Sequence, residues 1–154
     1  MANQDQFESP DYYLLDDLLS EEHLLIRKTI RDFVKKEISP IIEEVCQSCV
    51  FPKEILPKLA SLGCFGPFIP HKYGGAELDQ ISYGLIMQEL ERGDSGVRSF
   101  ISVQNSLVMY PIHTFGSDAQ KKKWLPLLSG GKSIGCFYLG YTSIRRSFSY
   151  FVSR

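Results

Sequence analysis

The apolar positions of the chain recur at helical spacing over most of its length, and only near the end do they permit a strand. Ser20 is placed to cap a helix, with Glu21 and Glu22 in the first turn where the helix dipole favours negative charge. Ile26, Ile30, Phe33 and Val34 then mark one buried stripe, with Arg27, Lys28, Arg31, Lys35 and Lys36 on other faces. Pro40 interrupts this pattern, and Ile41, Ile42 and Val45 resume it up to Cys49. A second helix opens near Lys53 or Glu54 with Ile55, Leu56, Leu59 and Leu62 facing one way. Pro57 is tolerated in its first turn and Gly63 is its stop. The apolar, breaker-rich run Cys64 to Pro70 is expected to be extended or turning, and Tyr73-Gly74-Gly75 closes it as a loop.

A third helix runs from about Asp79 to Arg92, where Tyr83, Ile86, Met87 and Leu90 form the stripe and Ile81 and Leu85 widen it. Gly93 ends it. Ser95 is expected to cap a fourth helix in which Val97, Phe100, Ile101, Val103, Leu107, Val108 and Met109 cover most of the circumference. A helix apolar on nearly every side is surrounded by protein or ligand, so this is the central helix of the packing, ended in stages by Pro111 and Gly116. Ser117-Asp118-Ala119-Gln120 has the capping-box pattern and predicts a short helix through Trp124, limited by Pro126. Ser129 to Lys132 form a turn, and Ser133 to Phe137 read as the first residues of a strand. The aromatic, serine-rich, basic stretch from Tyr138 to Arg154 permits a strand but shows no alternation that sets a register. The expected fold class is all-α with a short irregular or β-like C-terminal tail. The divisions are a flexible N-terminus at 1–11, a helical domain at 12–132, the start of a strand at 133–137 and a divergent tail at 138–154.

Charge changes this picture more than composition does. The 154 residues are 44% hydrophobic and 23% charged, as in globular domains, with no apolar run long enough to span a bilayer. The net charge of −1 hides an asymmetry: from Ala119 onward there is no Asp or Glu and the balance is +7, whereas the preceding part holds 10 of the 17 basic residues and all 18 acidic ones. The acidic start, Met1 to Asp11, is unlike a signal or transit peptide, which makes a cytoplasmic location the expectation. Cys46-x-x-Cys49 has no second pair and no histidine at ligand spacing, so no metal site is expected. Cys46, Cys49, Cys64 and Cys136 read as buried or half-buried thiols. Gly131-Lys132-Ser133 lacks the earlier glycine of a phosphate loop, since Pro126 stands there. His23, His71 and His113 lie in separate segments without a nearby nucleophile. Lys121-Lys122-Lys123 on a capped helix reads as a solvated face, and no nucleic-acid partner is expected.

Arg98 stands out chemically. It lies in the first turn of the apolar fourth helix, followed by Ser99 and Ser102. A guanidinium in an apolar setting must meet an anion or a full set of acceptors. Either it ends an internal pair with Asp94, Glu91 or Glu89, or it receives a ligand.

Around it, Glu89-x-Glu91-Arg92-Gly93-Asp94-Ser95-Gly96-Val97-Arg98-Ser99 joins several other stretches in one order. These are Phe33-Val34-x-Lys36-Glu37-Ile38-x-Pro40, Leu59-Ala60-x-Leu62-Gly63-x-x-Gly66, Tyr73-Gly74-Gly75, Phe115-Gly116-Ser117-x-x-Gln120-Lys121, Leu125-Pro126-x-Leu128 and Gly135-Cys136-Phe137. Together they resemble the N-terminal helical domain of acyl-CoA dehydrogenases, most closely the glutaryl-CoA dehydrogenases, over about residues 12 to 137. The resemblance implies an N-terminal helical domain followed by a β-domain and a C-terminal bundle, assembled as a homotetramer. It also implies FAD as cofactor and an acyl-CoA as substrate, oxidised by a glutamate base and a hydride transfer to the flavin. On this resemblance Arg98 and Ser99 bind the distal carboxylate of a glutaryl group, and Phe137 lies at the edge of the flavin stretch. After Phe137 the family continues Gly-Leu-Thr-Glu-Pro, whereas this chain reads Tyr138-Leu139-Gly140-Tyr141-Thr142. The acid-free ending fits a truncated or frame-shifted product better than an evolved one. No residue of the chain takes the place of the catalytic glutamate, so the isolated chain is expected to be inactive. The rival expectation is a non-catalytic helical interaction module, with a partner-binding patch around Phe100, Leu107 and Met109.

Overall fold

In the computed structural model the backbone is described for residues 11–141 and 146–153, and side chains for 11–137. The expectation of a flexible N-terminus therefore falls almost wholly outside the described residues. Seven α-helices are described: α1 (Glu21–Phe33), α2 (Ile42–Ser48), α3 (Leu56–Ser61), α4 (Gln80–Gly93), α5 (Ser95–Ser102), α6 (Tyr110–Phe115) and α7 (Asp118–Ser129). Strands β1 (Ile134–Tyr141) and β2 (Arg146–Ser153) follow and pair antiparallel, with Ile134 opposite Ser153 and Tyr141 opposite Arg146. The expected all-α domain is present, and its tail is β-like. Backbone pairing supplies the register that the residue pattern alone did not.

The chain divides into two compact units, Met1–Phe51 with Ile81–Arg98, and Pro52–Gln80 with Ser99–Arg154. In the first unit α1 starts as expected. Ser20 Oγ accepts from His23 N–H at 3.2 Å and His23 Nδ1 accepts from Ser20 N–H at 3.3 Å, a reciprocal cap. Ile30, Val34 and Ile38, four residues apart, are 2%, 0% and 1% exposed and form the buried stripe. Val34–Ile38 is a π-helical turn in which Ser39 N–H bonds the Val34 carbonyl, closing the helix just before Pro40. Gly93, at the end of α4, has no side chain for a packing reason: a Cβ there would sit 2.5 Å from Val34 Cγ1. On α4, Ile86 and Leu90 are buried, whereas Ile81, expected to widen the stripe, is exposed.

The second unit gathers Ile69, Tyr73, Val108, Met109, Leu125 and Leu128 into one core, with Phe68, Val103, Ile112 and Trp124 packed against it. The expectation of an almost uniformly apolar central helix needs correction. After α5 the chain winds as a π-helix, Val103–Met109, that buries two amides, Gln104 at 1% and Asn105 at 0% exposure. Asn105 Oδ1 accepts from Gly66 N–H and its Nδ2 donates to the Cys64 carbonyl, both at 2.8 Å. Gln104 Oε1 accepts from Gly135 N–H at 2.9 Å, and its Nε2 donates to the carbonyls of Leu128 and Ser133. Asn105 satisfies loop backbone, Gln104 joins the strand start to the last turn of α7, and burial makes those bonds obligatory. The π-winding also accommodates Pro111. Tyr110 N–H reaches back five residues to the Asn105 carbonyl, and the proline falls in the first turn of α6, where no N–H is required.

Pro126 does not end α7 at Trp124 as expected. The helix continues to Ser129, and Gly130 N–H bonds the Pro126 carbonyl at 3.2 Å. The bond forfeited is one to the carbonyl of Lys122, an exposed residue, while Leu125 and Leu128 at 0% exposure hold the last turn in the core. The capping box at the other end is as predicted, with Ser117 and Gln120 bonding reciprocally. The cysteines depart from expectation: only Cys64 is buried, its thiol pushed up to about 12 by desolvation, while Cys46, Cys49 and Cys136 are exposed. No described helix is long and apolar enough to cross a membrane.

Candidate functional site

The turn between α4 and α5 sets the position of Arg98. Asp94, not Ser95, caps α5: its Oδ1 accepts from Val97 N–H at 2.7 Å and its carbonyl accepts from Arg98 N–H at 3.1 Å. A carboxylate at this position satisfies an orphan N–H and meets the positive end of the helix. Ser95 is thereby freed for another task, and its hydroxyl donates to Glu91 Oε1 at 2.7 Å.

Glu91 Oε2 accepts from Arg98 Nε, so the internal pair left open by the sequence is formed with Glu91. The pair is accessible to water, with the two side chains 35% and 45% exposed. The guanidinium, and after it the Ser95 hydroxyl, hold the Glu91 carboxyl below the usual carboxylate range. Ser99, the next residue along α5, is exposed. What the turn presents is a cation already bonded to a carboxylate at a solvent-accessible site. Such a site exchanges one carboxylate for another without leaving the charge bare.

The first unit also contains an open cleft of about 570 Å³, whose lining includes Tyr12, Leu18, Arg27, Arg31 and Arg92 but not Arg98. Its arginines are committed to internal carboxylates. Arg27 grips Asp16 through two bonds of 2.6 Å, and Arg31 grips Glu89 through bonds of 2.9 and 2.8 Å. Arg92 Nε lies 3.6 Å from the same Glu89, which is fully buried. Charge in this cleft is balanced by the chain's own groups, and the cleft gives no reason for an anionic ligand.

Phe137 lies half-buried on β1, in the second unit. Where the start of that strand lies depends on residues the sequence reading passed over. Gln104 receives the Gly135 N–H, and a Cβ on Gly135 would come within 2.3 Å of Val108 Cγ1. Two amides inside an otherwise apolar helical run were the available signal. The apolar patch expected around Phe100, Leu107 and Met109 does not form. Met109 is fully buried, Phe100 half-buried against Phe65, and Leu107 alone is exposed, at 40%. Among the described residues no group of three or more His, Cys, Asp or Glu side chains is placed to hold a metal ion.

Comparison with known proteins agrees with this architecture. Residues 20–132 match the family described as acyl-CoA dehydrogenase, N-terminal domain. The chain is 43% identical over 116 residues to a 3-(aryl)acrylate reductase from Clostridium sporogenes, covering 75% of this chain and 31% of the relative. It is 39% identical over 121 residues to the mitochondrial short-chain specific acyl-CoA dehydrogenase of Homo sapiens, covering 79% and 29%. Among solved structures it is similar to a glutaryl-CoA dehydrogenase from Mycobacterium smegmatis in complex with FADH2. There the TM-score is 0.74 and the identity 42%, over 77% of this chain and 31% of that one. The chain thus spans about a third of the length of the proteins it matches. With its helical order, caps and turns accounted for, the chain belongs to the acyl-CoA dehydrogenase family, of which it carries the N-terminal domain.

Proposed function

We propose that this chain is the N-terminal part of a flavin-dependent acyl-CoA dehydrogenase whose substrate is dicarboxylic, glutaryl-CoA being the best match, with Arg98 holding the carboxylate remote from the thioester. The observation that carries this reading is the accessible Arg98–Glu91 pair, backed by Ser95 and adjoined by exposed Ser99. Glu91 occupies the guanidinium as a substrate carboxylate would. Exchange of one for the other keeps the cation paired throughout, and the planar donor fork fixes the orientation of the entering group. Ser99 adds a hydroxyl at the same end. Remote binding of this kind contributes to rate by holding the acyl chain in a reactive pose. The resemblance to glutaryl-CoA dehydrogenases in the sequence around Arg98 supports the same assignment.

FAD supplies the hydride acceptor in the complete family enzyme. Phe137, the one residue here assigned to the edge of that site, offers a ring but no hydrogen-bonding group. Phe137 by itself does not make a flavin site, and no catalytic residue is assigned. The chain alone is inactive in this reading, the complete enzyme is a homotetramer, and the location is cytoplasmic.

The test is a hybrid in which residues 20–132 replace the matching domain of the Mycobacterium smegmatis enzyme. Arg98→Ala should lower kcat/KM for glutaryl-CoA by about a hundredfold while changing that for butyryl-CoA less than about threefold. Equal losses on both substrates would remove Arg98 from the role. Incubating the 154-residue chain with FAD and glutaryl-CoA should leave flavin absorbance unchanged; bleaching would refute the inactivity of the isolated chain.

A further inference from the structure

Charge is divided between the two units. Met1–Phe51 with Ile81–Arg98 holds 14 acidic and 7 basic residues, a net −7; Pro52–Gln80 with Ser99–Arg154 holds 4 acidic and 10 basic residues, a net +6. Each unit also exposes apolar side chains beside its charges. In the first, Tyr12 and Tyr13 are each 85% exposed and Leu18 78%, within a few residues of exposed Asp17, Glu21 and Glu22. In the second, α6 and α7 pack together across the Gly116-Ser117 joint, with Phe115 82% exposed just before it and Tyr110 48% exposed. Lys122 and Lys123 project from α7. His113 packs edge-on to Tyr73, and Lys72 lies over the same ring at 4.9 Å. Burial first, and then the charges of Lys121 and Lys72, lower the His113 pKa.

We propose that the basic, aromatic face formed by α6, α7 and Lys72 docks on the acidic, aromatic stretch Tyr12 to Glu22 of a second copy of this chain. The chain itself supplies both halves of the match. Two copies meeting through like patches would set like charges together, whereas unlike patches pair Lys121, Lys122 and Lys123 with Asp17, Glu21 and Glu22 while aromatic surface leaves water on both sides. The contact joins different surfaces of the two copies, a heterologous interface. It is independent of the reading of Arg98.

Sedimentation velocity of the full chain tests this between about 20 mM and about 0.5 M salt, a range in which the screening length falls from about 20 Å to about 4 Å. Species heavier than 17.5 kDa are expected at low salt, with the dissociation constant rising at least about tenfold across the range. Lys121→Glu/Lys122→Glu/Lys123→Glu and Asp17→Lys/Glu21→Lys/Glu22→Lys should each abolish association alone, and an equimolar mixture of the two should restore it. Circular dichroism melts establish that both variants fold, and Phe115→Ser provides a variant without charge change that should weaken association. A monomer at low salt, association that strengthens with salt, or folded variants that fail to complement would overturn the proposal. So would a monomeric chain that sediments with phosphatidylglycerol vesicles through Lys121 to Lys123, which would assign the face to an anionic lipid surface.

Discussion

Glu89 and Glu91 stand two residues apart on α4, and both bind an arginine, yet their settings differ. Glu89 is fully buried, gripped at both oxygens by Arg31 and approached by Arg92. Glu91 faces water, bonded to Arg98 and Ser95. A buried carboxylate deprived of its cation has no other partner, so the Glu89 cluster is fixed structure. A carboxylate in water exchanges partners cheaply, which is what the proposed role of Arg98 requires. The same chemistry is locked in the interior at one position and left in contact with water at the other, and burial makes the difference.

The largest effect that distinguishes the two is expected at Glu89. Glu89→Ala strands Arg31 and should lower stability by about 3–5 kcal/mol in urea unfolding; a loss below about 1 kcal/mol would place the pair with the weak exposed ones. Asn105→Ala comes next, because it leaves the Gly66 N–H and the Cys64 carbonyl buried without partners. A loss of about 2–4 kcal/mol is expected, with faster amide exchange at Gly66. Ser117→Ala removes one bond of an exposed cap and should cost about 1 kcal/mol.

The smallest effect on stability should come from Glu91→Gln, which should leave the urea midpoint within measurement scatter. In the hybrid enzyme the same change should strengthen glutaryl-CoA binding by removing the competing carboxylate. Its pH counterpart has a definite sign. The folded-state pKa of Glu91 is lowered below 4.5, so the contribution of the exposed pair, too small to move the urea midpoint, is present above the unfolded value and is lost as pH falls through the lower folded one. Carboxyl titration by NMR should find a midpoint below 4.5 that moves upward in Arg98→Ala.

Much of the helical framework was legible because its signals are local. Ser20, Ser117 and Gly93 mark ends through caps and close backbone approach, and the stripe of Ile30 and Val34 shows through a period of 3.6. The failures share a different cause. Pro126 reads as a terminator by its own geometry, but burial of Leu125 and Leu128 outweighs one missing hydrogen bond at an exposed position. Ser95 and Asp94 are both good caps, and a choice between them depends on Glu91 accepting the Ser95 hydroxyl.

The sequence by itself determined the family, through its resemblance, and the helix order and the separation of charge along the chain. Helix order and charge separation follow from residue types and spacing. Only the tertiary structure decided that Glu91 is the partner of Arg98, that Glu89 belongs to the interior, that Gln104 and Asn105 hold distant backbone, and that the pair at Arg98 remains accessible. Those outcomes rest on which groups lose their water, and solvation is settled by contacts between residues distant in the chain.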